Sequence, residues 1–207
     1  MLSALDVHHL LLNRGVDHEL VRTKTHAVSA DDLPRALGVA GQCCIAVRCF
    51  AVQGCRTADG SAVHLVAVLV RAGDVPDRDS LQATLDASAV RAATADEINA
   101  HTGFSAAFVS PVGLPEDVVV LADTALMSSD QLYAATGEVA LALRIGTHDL
   151  LVATGARVAQ LTSHPLETAG SAPWGASPGT LAQQADRDPE LVIDLTAPRP
   201  SSRRFVG

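Results

Sequence analysis

Two apolar runs dominate the pattern of the chain. Residues 43–52, CCIAVRCFAV, carry one charge, Arg48; residues 62–71, AVHLVAVLVR, carry no formal charge before Arg71. Runs this short, bounded by glycine and polar residues, read as strands, and the GCRTADGS between them predicts a turn region. The pair is expected to form an antiparallel hairpin at the centre of a sheet. Upstream, Ser3 predicts the cap of a helix with Leu5, His8 or His9, Leu11 and Leu12 on its apolar stripe and Gly15 at its end. Residues 16–23 alternate as a short strand. Ser29, Asp31 and Asp32 then start a short helix with Pro34 in its first turn and Gly38 as its stop. Downstream, Asp77 or Asp79 caps a helix to about residue 87, and residues 89–92 form a brief strand. Thr94-x-x-Glu97 is a capping box opening a helix that Gly103 closes. VVVLAD is a buried type of strand ending at Asp123. Residues 128–135 fit helix and strand equally well. After Gly137 come the strand VALALRI, a helical turn capped by Thr147 and closed by Gly155, and the strand ARVAQL. Helices and hairpins interleave, so the fold class is mixed α/β (α+β) and not a regular doubly wound βαβ array.

Composition narrows the function classes. The chain has 207 residues, 48% hydrophobic and 18% charged, with a formal net charge of -8, enough for one well-filled core. The text changes at residue 163: HPLETAGSAPWGASPG and the basic PRPSSRR suggest a Pro/Gly/Ser-rich, largely irregular tail, with residues 191–195 able to dock transiently. The expected organisation is therefore a domain over residues 1–162 and a tail over 163–207. No apolar run approaches the roughly 20 residues that span a bilayer. The N-terminus MLSALDVHHLL has acid and histidine where a signal peptide is basic. A cytoplasmic protein with no membrane partner is expected. The four cysteines, Cys43, Cys44, Cys49 and Cys55, form no CxxC pair and read as buried or free thiols. Adjacent His8 and His9 cannot share a helix face, and no metal or other cofactor is called for. Net acidity disfavours broad binding to nucleic acid and argues against a DNA partner, but leaves room for a local cationic pocket gripping one RNA end.

The candidate chemistry lies in residues 106–114, AAFVSPVGL, and in Arg48. Ser110-Pro111 forces an extended or turning backbone, and Gly113 permits a bend, so the peptide N–H groups there can face a ligand. An arginine inside an apolar strand must reach solvent or meet an anion. That anion is either a ligand or an acid of the chain, Asp123 or another. Ser110 reads as a turn residue and not a nucleophile, because no GxSxG elbow surrounds it. Asp123 fits both a cap and a pocket wall, and His26 fits both a surface loop and a substrate contact. His64 and His101 read as structural.

In order and spacing, several pieces together resemble the YbaK/prolyl-tRNA-synthetase-associated domain family of editing deacylases over about residues 5–162. They are LLNRGVDHELVRTKTHAVSADDLPRALGV, IAVRCFAV, HLVAVLVRAGD, ATADEINAHTG, AFVSPVGLP, VVVLADTAL and GEVALALRIGTHDLLVATGARVAQLT. The resemblance implies a mixed, largely antiparallel curved sheet flanked by helices. It also implies a metal-free, trans-acting hydrolase that removes a small, wrongly attached amino acid from the 3′ end of an aminoacyl-tRNA, in prolyl-tRNA-type editing, with an aminoacyl-tRNA synthetase as a further partner. In such domains a strand lysine holds the terminal phosphate, a Gly-x-x-x-Pro loop polarises the ester carbonyl, and water attacks with help from a ribose hydroxyl. Carried onto this chain, the catalytic set is Arg48, Ala107, Phe108, Val109 and Ser110. The substrate-binding set is His26, Pro111, Gly113, Asp123, Gly137 and Leu141. Three positions depart from the family pattern: Arg48 replaces the lysine, Ala107 replaces the loop glycine, and Val139, Ala140 and Leu141 are apolar where a polar residue often follows Gly137. Arginine keeps the charge and can hold phosphate in a two-point fork. Alanine is costly if the loop needs positive φ. The alternative reading is therefore a catalytically impaired homologue that binds a tRNA end, a small molecule or a synthetase without turnover.

Overall fold

Helix α1 (Ala4–Asn13) begins where Ser3 and Asp6 cap each other, the Ser3 hydroxyl accepting the Asp6 N–H and the Asp6 carboxylate accepting the Ser3 N–H at 2.8 Å. Its inward face is Ala4, Val7 and Leu11; of the expected stripe Leu11 is buried, whereas Leu5 and Leu12 are 57% and 55% exposed. At its first turn the Ala4 N–H donates to Glu138 Oε1 at 3.0 Å. The structure, a computed structural model, describes residues 1–56, 60 and 62–162. The expected tail and its docking segment 191–195 lie outside the described residues.

After α1 the chain forms β1 (His18–Arg22), a 3₁₀ turn (Ala30–Asp32) running into α2 (Leu33–Leu37), β2 (Ile45–Gln53), β3 (Leu65–Arg71) and α3 (Arg78–Leu85). It continues through β4 (Ala89–Ala92), α4 (Ala95–Thr102), β5 (Val119–Asp123), β6 (Gln131–Ala135), β7 (Leu141–Gly146), α5 (Thr147–Thr154) and β8 (Arg157–Ala159). Five strands make one sheet in the order β4-β2-β3-β5-β8, with β4, β2 and β3 antiparallel and β3, β5 and β8 parallel. Three more make an antiparallel sheet, β1-β7-β6. A parallel bridge between Cys44 and Tyr133 ties the two sheets together. The expected hairpin is β2–β3, with β3 the middle strand of five.

β3 explains the unbroken apolar run. Leu65, Ala67 and Leu69 face one cluster with Val7, Leu11, Phe104 and Leu143, while Val66, Val68 and Val70 face another with Leu81 and Leu85. A strand covered on both faces needs no polar alternation. A third cluster gathers Ala27, Leu33, Ala36, Ala46, Phe108 and Ala142 around the entrance to β2. Two expected boundaries move. Residues 128–135 divide into a 3₁₀ turn (Thr124–Ser128) and β6, and Thr147 lies inside α5 after the N-cap residue Gly146, its hydroxyl donating to the Ser129 carbonyl.

Candidate functional site

The 106–114 loop hangs from α4. Asn99 Oδ1 accepts the Ala106 N–H at 2.8 Å, and the Ser105 carbonyl accepts the Phe108 N–H at 2.9 Å, closing a tight turn. The Phe108 ring, 5% exposed, packs in the third cluster and anchors the turn. Within residues 107–112 Ala107 alone is exposed; Val109 and Ser110 lie beneath it at 2% and 0%. The Ser110 hydroxyl accepts the Val112 N–H at 3.2 Å, so it serves its own turn, and Pro111 is buried beside it. Gly113 has φ +88°, and a Cβ there would stand 3.1 Å from Leu10 Cδ1. Ala107 carries no left-handed strain, since Asp86 is the only non-glycine residue with positive φ among the described residues. The loop does not need positive φ at this position, so the departure from the family glycine carries no backbone cost. Of the loop N–H groups from Phe108 to Ser110, that of Phe108 is engaged by Ser105, whereas those of Val109 and Ser110 make no hydrogen bond among the described residues.

Arg48 meets an acid. Asp31 accepts from both terminal nitrogens, Nη1 at 2.9 Å and Nη2 at 2.6 Å, and the Asp74 carbonyl accepts from Nε at 3.2 Å. Asp31 Oδ1 also accepts the Gly73 N–H at 2.8 Å. The side chains are 27% and 37% exposed, so the pair sits at the surface edge of the β2 face. Burial pushes the Asp31 carboxyl up, but the Arg48 guanidinium and the Gly73 N–H outweigh it and hold the carboxyl below its ordinary range. Asp31 was visible in the sequence only as an acid at a helix start.

Residues 26–31 join the predicted parts. The Ala27 N–H reaches the Val139 carbonyl at 3.4 Å, the Ala30 N–H reaches the Ala107 carbonyl at 2.9 Å, and Asp31 holds Arg48. This short segment thus touches the 137–140 loop, the 106–114 loop and the β2 cation in succession. His26 begins it as an exposed residue whose carbonyl accepts from Arg35 Nη2 at 3.3 Å. Gly137 sits at φ +92°, where a Cβ would come within 2.8 Å of the Leu2 carbonyl oxygen. Leu141 opens β7 half-buried, its carbonyl accepting from Thr136 Oγ1 at 2.9 Å.

Asp123 is engaged elsewhere. One oxygen accepts the Ala125 N–H and the other accepts those of Leu161 and Thr162, each at 2.8 Å, and the residue is 1% exposed. Of the two roles open for it in the sequence, the hydrogen bonds make it a cap. It is not the acid that pairs with Arg48. A cavity of about 380 Å³ lies against β4, lined by Ala51, Gln53, His64, Arg78, Arg91 and Glu97; none of these belongs to segment 26–31 or to the 106–114 loop. No group of three or more potential metal ligands occurs among the described residues. No helix among them is long and apolar enough to cross a membrane.

Solved structures share this architecture. A proposed trans-editing enzyme for prolyl-tRNA synthetase is 25% identical, with a TM-score of 0.65, covering 78% of this chain and 97% of its own. A hypothetical protein matches at 24% identity and TM-score 0.65, covering 75% of this chain and 98% of its own, and a scaffold used for computational epitope grafting matches at 22% and 0.64, covering 78% and 97%. The curated proteins compared with the chain include no match. The profile of the aminoacyl-tRNA editing domain matches residues 24–165, well over half of the 207. Segment 26–31, both loops it touches and Arg48 all fall inside that match, and the chain belongs to the aminoacyl-tRNA editing domain family.

Proposed function

We propose that the protein is a trans-acting aminoacyl-tRNA deacylase that hydrolyses the ester joining a small, wrongly attached amino acid to the 3′-terminal adenosine, in prolyl-tRNA-type editing. The observation that carries this reading is the adjacency of Ala30 and Asp31: one N–H fixes the Ala107 carbonyl and the next carboxylate fixes Arg48, so cation and loop are one residue apart along a single segment. The likeness to the 25% identical, proposed trans-editing enzyme for prolyl-tRNA synthetase supports action in trans.

In the proposed reaction Arg48 holds the phosphate of the terminal nucleotide. The ester carbonyl lies over Ala107, where the N–H groups of Val109 and Ser110 stabilise the developing oxyanion. The oxygen of water bonds to the carbonyl carbon, the bond to the ribose oxygen breaks, and the proton passes to that oxygen with help from the neighbouring hydroxyl. His26, Gly137 and Leu141 border the amino-acid slot, with Pro111 and Gly113 shaping the loop behind it. Asp123 acts on the site only by fixing the end of β5.

A second reading, a homologue that binds a small molecule or a synthetase without turnover, is favoured by one specific observation: the Arg48 fork that would hold the terminal phosphate is already filled by Asp31. One assay separates the two. Tested against alanyl-, cysteinyl- and seryl-tRNA for proline, a deacylase hydrolyses at least one, Arg48→Ala removes that activity, and Ala107→Gly preserves or raises it. A binder hydrolyses none, and a gain of about a hundredfold in Ala107→Gly, the usual worth of one well-placed oxyanion donor, identifies Ala107 as the block. Hydrolysis unaffected by Arg48→Ala removes the proposed mechanism.

A further inference from the structure

The Arg48 guanidinium has five N–H groups, and three of them, with at least one on each edge that could take a two-point grip, are committed. A two-point grip on an oxyanion uses two parallel N–H bonds along one edge of the guanidinium. The edge formed by Nη1 and Nη2 carries Asp31 at 2.9 and 2.6 Å, and the Nε side is turned to the Asp74 carbonyl. Asp31 is also held in place independently of Arg48. Its Oδ1 accepts the Gly73 N–H at 2.8 Å, so a carboxylate that lets go of the guanidinium remains beside it and repels a second anion. The pair is nevertheless exchangeable, since side chains exposed by 27% and 37% form ion pairs of small net worth.

We infer that Asp31 is a built-in competitor for the anion site on Arg48, occupying the edge that a nucleotide phosphate must take and setting the affinity of the protein for the RNA end. This rests on the reading of Arg48 as the phosphate anchor. It assigns to the 3₁₀ turn a function that the loop and the cation do not have. An incoming phosphate displaces Asp31 from the guanidinium, and because Ala30 is bonded to the Ala107 carbonyl, the displacement acts on a residue next to the catalytic loop. Free phosphate, with nothing else to hold it, competes poorly. A phosphate attached to a terminal adenosine that also fills the loop side competes well, so Asp31 favours the complete substrate over loose anions.

The test uses the full chain and an uncharged RNA minihelix ending in single-stranded CCA, with affinity read by fluorescence anisotropy at fixed salt and inorganic phosphate as a second probe. Asp31→Asn removes the charge and keeps an acceptor for Gly73. It should tighten RNA binding about tenfold, equivalent to about 1.4 kcal/mol, and tighten inorganic phosphate by at least as much. Asp31→Ala is a second variant with the same expectation. In an Arg48→Gln background the Asp31→Asn gain should fall below about twofold, a coupling that a purely structural role for Asp31 does not produce. Binding that needs Arg48 but is unchanged or weakened by both Asp31 variants overturns the inference and leaves the deacylase reading standing. Binding indifferent to Arg48→Gln overturns both.

Discussion

Gly137 and Ala107 occupy the two loops of the proposed site and obey opposite constraints. At Gly137, φ is +92° and an added Cβ would lie 2.8 Å from the Leu2 carbonyl oxygen and 3.1 Å from Phe104 Cδ1. Backbone strain of roughly 1–2 kcal/mol is thus joined by a clash with main chain that cannot rotate away. Gly137→Ala should destabilise the protein by about 2 kcal/mol or more, read from the urea midpoint. At Ala107 the backbone is in ordinary territory, so Ala107→Gly should lower stability by at most about 1 kcal/mol, the entropy of the freer chain. The family resemblance, and not local patterning, is what carried both residues into the proposed site. It could not separate them, because one constraint comes from Leu2 and Phe104, far away along the chain. Asp31 was hidden for the same reason. Its pairing with Arg48 spans 17 residues, and an acid before a helix already has a sufficient local explanation.

Among the elements, α4 was the most legible. Thr94 Oγ1 accepts the Glu97 N–H at 3.3 Å, and Glu97 Oε2 accepts the Thr94 N–H at 2.8 Å, as the spacing predicts. The forked bond from Arg91 to Glu97, at 2.5 and 2.8 Å, was not predicted. The Arg91 bond, followed by the Thr94 N–H, pulls the Glu97 carboxyl down to about 2 from an ordinary 4.5. A depressed carboxylate contributes its stability in full above the unfolded value and loses it as pH falls through the folded one. The first turn of α4 should therefore hold its amide protection down to pH near 4.5 and lose it progressively toward pH 2; Glu97→Gln should remove that pH dependence in hydrogen exchange. The end of β5 makes a stronger demand. Asp123 accepts three N–H groups at 1% exposure, and Asp123→Asn would turn an NH₂ toward donors. A loss of about 2–3 kcal/mol is expected in denaturant titrations. The start of β7 was misjudged by two residues because the Val139 and Ala140 carbonyls accept from Ala27 and Thr23, contacts that strand patterning does not contain.

For the whole molecule, the sandwiching of β3 between two apolar layers makes the thiols reporters of global opening. Cys44, Cys49 and Cys55 are buried and Cys43 half-buried, all unpaired. Burial pushes the Cys44 and Cys49 thiols up to about 12, far from the reactive thiolate at neutral pH. A thiol reagent should modify Cys43 first, with Cys44 and Cys49 following at the rate of unfolding; equal rates at all three would show that the β2 entrance opens locally. The mixed fold and its central hairpin could be read from alternation and turn chemistry. The division into two sheets could not, because it depends on which strand finds which partner. The family match begins at residue 24, yet β1 pairs along the whole of residues 18–22 with β7, and Val7 and Leu11 fill the same cluster as Phe104 and Leu143. The border drawn by kinship and the border drawn by folding are therefore different lines. A shortened version cut to the matched window would leave β7 with a raw edge and the interior unroofed, so any transplant of this domain must carry its first 23 residues along.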